Sequence, residues 1–280
     1  MSREDSWPLS RLCIHQVTLP ERCDFRQAIE CLSQNSVTMT AVWRPKLEEI
    51  GAPEAVRILR DNGVDAVSYC SGGLLTADDP GATQRVIDDN RRWLDEAAAI
   101  GAGTMVTITG GLPEHSRDIE AARERAKERL TRIIPHAAAT GVRLALEPLH
   151  PMVCGYRSIM STLREANDWL DELDAGDVLG IAFDTYAIWW EPYLEREIAR
   201  AGKRIINFHC SDWLPDTRHV RLDRGMLGDG VIDNRRLLGL VDAVGFDGPI
   251  EVEIFSERDW WQRDADEVLR AMKDCHRRAC

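Results

Sequence analysis

The sequence predicts a one-domain α/β fold closed as a (β/α)8 barrel, and three observations carry that expectation. Short apolar, β-branched runs alternate with longer segments rich in Ala, Leu, Arg and Glu, and the alternation repeats eight times over 280 residues. Such alternation implies parallel strands joined by crossover helices. Eight units on a chain of this length favour closure over an open, doubly wound sheet. No G-x-G-x-x-G follows the first strand, which removes support for a dinucleotide-binding sheet. No Gly/Ser/Pro-rich linker or low-complexity stretch divides the chain, so one barrel is expected over 11–280, behind a polar tail at 1–10.

The elements can be taken in order. LCIHQV (12–17) opens as the first strand, with an amphipathic helix over 24–34 to follow it. VTMTAV (37–42) is the second strand, rich in the β-branched residues that fit a pleated surface, and a helix over 51–62 follows. Gly63 ends that helix before VDAVSYC (64–70), because a residue without Cβ takes the left-handed C-cap conformation easily. Helices over 80–100 and 117–140 flank the fourth strand, TMVTIT (104–109), and Gly141 leads into the fifth, VRLALE (142–147). The remaining strands are VLGIAF (178–183), IINFH (205–209) and PIEVEI (249–254), with helices over 158–173, 191–202, 234–244 and 264–277.

Composition narrows the function classes. A net charge of −12 argues against a nucleic-acid surface, which needs clustered Lys and Arg; the nearest cluster, RHVRLDR, carries an acid. The eight cysteines are scattered with no C-x-x-C pair, the N-terminus has no apolar targeting core, and no run approaches a membrane span. A cytoplasmic protein with reduced thiols is expected, with Cys13, Cys70 and Cys210 as core filler.

In a parallel barrel the active site lies at the C-terminal strand ends. The fifth strand ends in Glu147, with His150 close behind; the sixth leads to Asp184, the seventh to His209 and Asp212, and the eighth to Glu253. An unpaired buried carboxylate is costly, so three acids and one imidazole sharing a cavity imply a divalent cation. Mixed oxygen and nitrogen donors suit Mn²⁺, Mg²⁺, Co²⁺ or Zn²⁺. The expected metal ligands are therefore Glu147, Asp184, His209 and Glu253. Glu251 lies on the same strand face as Glu253 but deeper, as an expected ion-pair member. His15, His150 and Arg224 are expected on the substrate, Arg224 through its planar fork. Trp43, Trp189 and Trp190 offer flat apolar faces with one N–H donor, which suits a sugar.

The stretches LALEPLHP, AFDTYAIWWEP, FHCSDW, RGMLGDGVID and IEVEIFSE resemble the xylose isomerase-like barrels, a superfamily of sugar isomerases and epimerases, inosose dehydratases and a DNA-repair endonuclease branch. In ketose 3-epimerases of that superfamily, a Glu, an Asp, a His and a Glu from the last four strands bind a divalent ion, typically Mn²⁺. The resemblance carries these onto Glu147, Asp184, His209 and Glu253, and makes Glu147 and Glu253 the catalytic acid/base pair. It departs at Ala187, where the epimerases commonly place a substrate-binding His. The implied activity is a metal-dependent isomerase or epimerase of a small sugar, keto-sugar or polyol, working through an enediolate. An inosose dehydratase-like lyase and a non-catalytic sugar-binding barrel are the alternatives. The implied partners are a small-molecule substrate and, by analogy with paired barrels, a second copy of the chain; neither nucleic acid nor membrane is expected.

Overall fold

In the computed structural model, which describes residues 7–278, seven strands appear in the expected order as Leu12–His15 (β1), Met39–Trp43 (β2), Asp65–Gly73 (β3), Thr104–Ile108 (β4), Arg143–Leu146 (β5), Leu179–Asp184 (β6) and Ile205–Cys210 (β7). A small antiparallel pair, Asp212–Trp213 (β8) and Arg224–Gly225 (β9), precedes the last barrel strand, Ile250–Val252 (β10). The eight barrel strands close in the order β1-β10-β7-β6-β5-β4-β3-β2, every pairing parallel. The chain is thus a single-domain (β/α)8 barrel.

The helices are Phe25–Gln34 (α1), Arg44–Ile50 (α2), Ala52–Asn62 (α3), Ala82–Ala99 (α4), Ile119–Thr140 (α5), Leu163–Leu173 (α6), Thr185–Ile188 (α7), Leu194–Ala201 (α8), Asn234–Ala243 (α9) and Ala265–Arg278 (α10). Three departures from the expected pattern have local causes. α2 was not expected; Pro45 falls in its first turn, where a missing N–H costs nothing. The helix expected from 158 begins at Leu163, because Thr162 caps it by accepting from the Glu165 amide at 3.1 Å, while Ser158 bonds the Thr109 hydroxyl at 2.9 Å. The helix expected over 191–202 is preceded by the short α7, which Asp184 starts by accepting from the Tyr186 amide at 3.0 Å.

Two packed layers set where the functional side chains point. Leu144 and Leu146 of β5, Ile181 and Phe183 of β6, Phe208 of β7, and Ile250 and Val252 of β10 join the large apolar layer with the helices. The alternate residues turn inward, where a small cluster of Cys70, Val106, Ala145 and Ala182 fills the barrel. Period-two alternation then sends Glu147, Asp184, His209, Glu251 and Glu253 inward as well. Register fixes their levels. Asp184 pairs with His209 across β6 and β7, and Glu251 pairs with His209 across β10 and β7, so the three share a layer. Glu253 stands one layer higher, toward the C-terminal mouth.

Residues 1–6 of the expected polar tail lie outside the described residues; Trp7 is buried, with its ring edge-on to His276 at 5.5 Å. Cys13, Cys23, Cys31, Cys70, Cys154 and Cys210 are free thiols. Among the described residues, no helix is long and apolar enough to cross a membrane.

Candidate metal centre and active site

His209 is the hub of the barrel floor. Its Nδ1 lies 2.9 Å from Glu147 Oε1 and 3.8 Å from Glu253 Oε2, and its Nε2 lies 3.0 Å from Glu251 Oε2. Glu251 also accepts from the Ser68 hydroxyl at 2.8 Å and the Asn207 amide at 2.6 Å. With three donors around one buried carboxylate, Glu251 fixes the His209 ring and keeps a proton on Nε2. That leaves Nδ1 facing two acids. Ligand atoms of Glu147, His209 and Glu253 lie within 4.8 Å of one another, and all three residues are buried.

A second trio, His15, Cys70 and Glu253, also brings ligand atoms within 4.8 Å. Its chemistry fits a cation poorly. His15 Nδ1 accepts from the Val17 amide at 3.1 Å, so the ring proton of the neutral form sits on Nε2, which points at Glu253 Oε1 across 3.5 Å. His15 Nε2 is therefore a donor toward Glu253, and His209 Nδ1 is the ring nitrogen better placed to meet a cation.

Arg224 enters from the β8–β9 pair. Its Nη1 lies 2.9 Å from Glu253 Oε2 and 3.4 Å from Asp184 Oδ2, with its guanidinium over the Tyr186 ring at 4.2 Å. The pairing is with Asp184 and Glu253; Asp223 and Asp229 instead accept from the amides of Arg218 and Met226. Asp212 organises the same loop, accepting from the amides of Trp213, Gly228 and Ile232 at 2.9–3.0 Å.

The electrostatics follow from burial and from charge. Burial works against a charged His209 ring, yet Glu253, Glu147 and Glu251 outweigh it and hold the imidazole well above its ordinary range. With both ring nitrogens protonated, His209 donates to Glu147 and Glu251 together. A divalent cation at Nδ1 fits because it replaces that proton with a charge facing the same acids. Burial pushes the Asp184 carboxyl up against the pull of Arg224. Burial acts on Glu253 in the same sense, but Arg224, His209 and His15 hold it well below the usual carboxylate range. Burial drops His15 to about 4.

One cavity covers this floor, with His15, Glu147, Arg224 and Glu253 in its lining. The model of the xylose isomerase-like TIM barrel family matches residues 27–275. The chain belongs to that family. The crystal structure of protein SMc04130 from Sinorhizobium meliloti 1021 is 43% identical, with a TM-score of 0.93 over 98% of this chain and 99% of that one. The IOLI protein, whose structure holds a zinc atom, is 18% identical at a TM-score of 0.82, covering 96% of this chain and 97% of that one. D-allulose 3-epimerase from Methylomonas sp. is 20% identical at a TM-score of 0.78, covering 98% of this chain and 100% of that one. At the two lower identities the likeness is one of fold. No curated protein sequence matches the chain.

Within this xylose isomerase-like barrel, the residues expected from the sequence divide into groups. Glu147, His209 and Glu253 converge, and His15, His150, Arg224 and Trp43 line the same cavity, as does Ala187. Asp184 is fully buried beside them and faces Arg224. Trp189 and Trp190 do not line the cavity: Trp190 Nε1 donates to the Ala187 carbonyl at 2.7 Å, and Trp189 packs near Trp213 at 6.3 Å. The His150 ring lies tilted against the same Trp213, with centroids 4.8 Å apart. Sequence reading missed Arg157, Tyr186, Arg221 and Phe255 in the lining, and Ser68 and Asn207 beneath Glu251. Arg157 follows the fifth strand on the catalytic side and Arg221 lies in RHVRLDR, so their positions were the available signal.

Proposed function

We propose that this barrel is a divalent-metal-dependent isomerase or epimerase acting on a small sugar, keto-sugar or polyol derivative. One observation carries the reading: Glu147, His209 Nδ1 and Glu253 converge on the floor of the cavity, while Glu251 holds the far side of the His209 ring. These three residues would hold the cation, with Asp184 as the fourth ligand. A mixed carboxylate and imidazole set suits Mn²⁺, and also Mg²⁺, Co²⁺ or Zn²⁺.

When bound, the cation supplies Lewis-acid stabilisation for negative charge developing on a substrate carbonyl. The chain's own residues handle the protons. Glu147 takes the proton from the carbon beside the carbonyl, and the C–H electron pair moves into the enediolate double bond. Glu253, kept ionised by Arg224, His209 and His15, would take a proton from a substrate hydroxyl and deliver it to the carbon from the opposite face, the Glu147 proton returning to that oxygen. Delivery to the same carbon gives the epimer; delivery to the adjacent carbon gives the aldose–ketose isomer. His15 Nε2–H and the Arg224 guanidinium are donors for substrate hydroxyls. The family, the zinc of the IOLI structure and the sugar named for the D-allulose 3-epimerase all support this reading.

Proton NMR in D₂O with Mn²⁺ and a panel of ketoses tests it. Wild-type protein should introduce deuterium beside the carbonyl, and Glu147→Gln or Glu253→Gln should cut the rate by about 10²–10⁴. Full exchange in either variant would remove that residue from the mechanism. A new alkene or dicarbonyl signal would instead mark a lyase.

A further inference from the structure

The cavity lining has a charge balance opposite to that of the chain. The protein carries a net charge of −12, yet three arginines, Arg157, Arg221 and Arg224, line the cavity against two carboxylates, Glu147 and Glu253. A divalent cation on the floor would make the lining more positive still. Arg224 is accounted for by Glu253 and Asp184. Arg157 and Arg221 are different: among the described residues neither guanidinium has a carboxylate within ion-pair distance or a hydrogen-bond acceptor. Elsewhere the arginines find acids readily, as Arg57 does with Glu54, Arg123 with Glu165, and Arg200 with Asp171.

The Arg221 guanidinium and the backbone that carries Arg157 are held in place by their surroundings. Arg221 is partly buried with its guanidinium over the Phe255 ring at 4.9 Å. Burial, then Arg157 and Arg224, pull its guanidinium below its ordinary range, so the two lie in each other's field. The Arg157 amide donates to Val153 O at 2.8 Å, and the backbone at Tyr156 and Arg157 packs so closely on Gly111 that a Cβ there would come within 2.3 Å of Tyr156 C. Glu253 lies in the field of both arginines but makes an ion pair with neither, so the two like charges on one cavity leave room for an anion. Each guanidinium offers a planar fork that matches an oxyanion.

We propose that the substrate carries an anionic group, a phosphate or a carboxylate, which Arg157 and Arg221 bind in the loops above the metal floor. The inference rests on this cavity being the active site of the reading above, and it narrows the substrate to a phosphorylated sugar or a sugar acid. The reacting carbons would then face Glu147 and Glu253, and the charged end would face the two arginines.

Binding, measured apart from turnover, is the test. Inorganic phosphate and acetate are titrated into the full-length, Mn²⁺-supplemented protein at constant ionic strength, followed by calorimetry. The same titrations are run on Arg157→Gln, Arg221→Gln and the charge-retaining Arg221→Lys, with circular dichroism to verify folding. Saturable binding of at least one anion, weakened tenfold or more in both Gln variants and less in Arg221→Lys, is expected. No saturable binding, or equal binding in all variants, overturns the proposal. D-fructose 6-phosphate, D-glucuronate and D-fructose then separate phosphate, carboxylate and neutral ligands; D-fructose binding as tightly as both anionic sugars also overturns it. Deuterium exchange with a neutral ketose and no anion binding would sink this inference alone. Anion binding without exchange would sink the enediolate reading alone.

Discussion

His209 Nε2 sits 3.0 Å from Glu251 Oε2, one layer below the carboxylate of Glu253, and this contact decides which imidazole nitrogen faces the cavity. A ligating histidine commonly gives its other N–H to an acceptor that fixes its tautomer and orientation. Glu251→Gln keeps the shape and an acceptor oxygen but loses the charge. Affinity for Mn²⁺, measured by competition with a chelating dye, should fall about 10–100-fold. Unchanged affinity would show that His209 does not need Glu251.

Metal removal should destabilise the fold. Glu147, Asp184, Glu251 and Glu253 are four buried carboxylates around the His209 and His15 imidazoles and the Arg224 guanidinium. A ligand that binds only the folded state adds about 2.7 kcal/mol at a hundred times its Kd. For a domain of this size that amounts to several degrees in Tm. Thermal unfolding with EDTA, then with excess Mn²⁺, should show the loss and its recovery; identical curves would argue against a resident cation.

The tryptophans should separate by role. Trp43 lines the cavity, while Trp190 Nε1 is already bonded to the Ala187 carbonyl. Trp43→Ala should raise KM roughly 3–10-fold, the worth of an aromatic contact of about 0.5–1.5 kcal/mol. Trp190→Phe should cost about 1 kcal/mol of stability, one hydrogen bond, and leave KM unchanged. Steady-state kinetics and urea unfolding check both; a KM change in Trp190→Phe would return that ring to the substrate.

Acid should weaken the barrel through a histidine far from the cavity. Burial pushes His276 below its ordinary value, its Nε2 bonds Pro8 O at 3.1 Å, and its buried Nδ1 has no hydrogen-bond partner. The unfolded chain then binds a proton that the folded one resists. The folded state is unpenalised above pH ~6.5 and loses stability as pH falls below it, by at most about 1.4 kcal/mol per pH unit for this group. In His276→Gln the urea-unfolding free energy should vary less steeply below pH ~6.5; an unchanged slope would place the acid sensitivity elsewhere.

Much of the fold was legible because it rests on periodic signals. Leu144 and Leu146 outward against Ala145 and Glu147 inward is a period-two pattern, and it placed the acids at the right strand ends. The β8–β9 pair was not legible, because two-residue strands carry no period, and with it went the approach of Arg224 to Asp184 and Glu253. Glu251 was read as a deep ion-pair member, but its partners Ser68 and Asn207 come from other strands, and only closure brings them together. Trp189 and Trp190 follow a strand end as a ligand-binding pair would. Whether such a ring faces the cavity depends on the turn α7 makes after Asp184, which residue order does not reveal.

Anomalous diffraction from crystals soaked in Mn²⁺ addresses the metal floor most directly. The account predicts one strong peak within bonding distance of Glu147, His209 Nδ1 and Glu253, with Glu251 still on Nε2. A floor without such a peak, its acids still joined through a proton on His209, would contradict it.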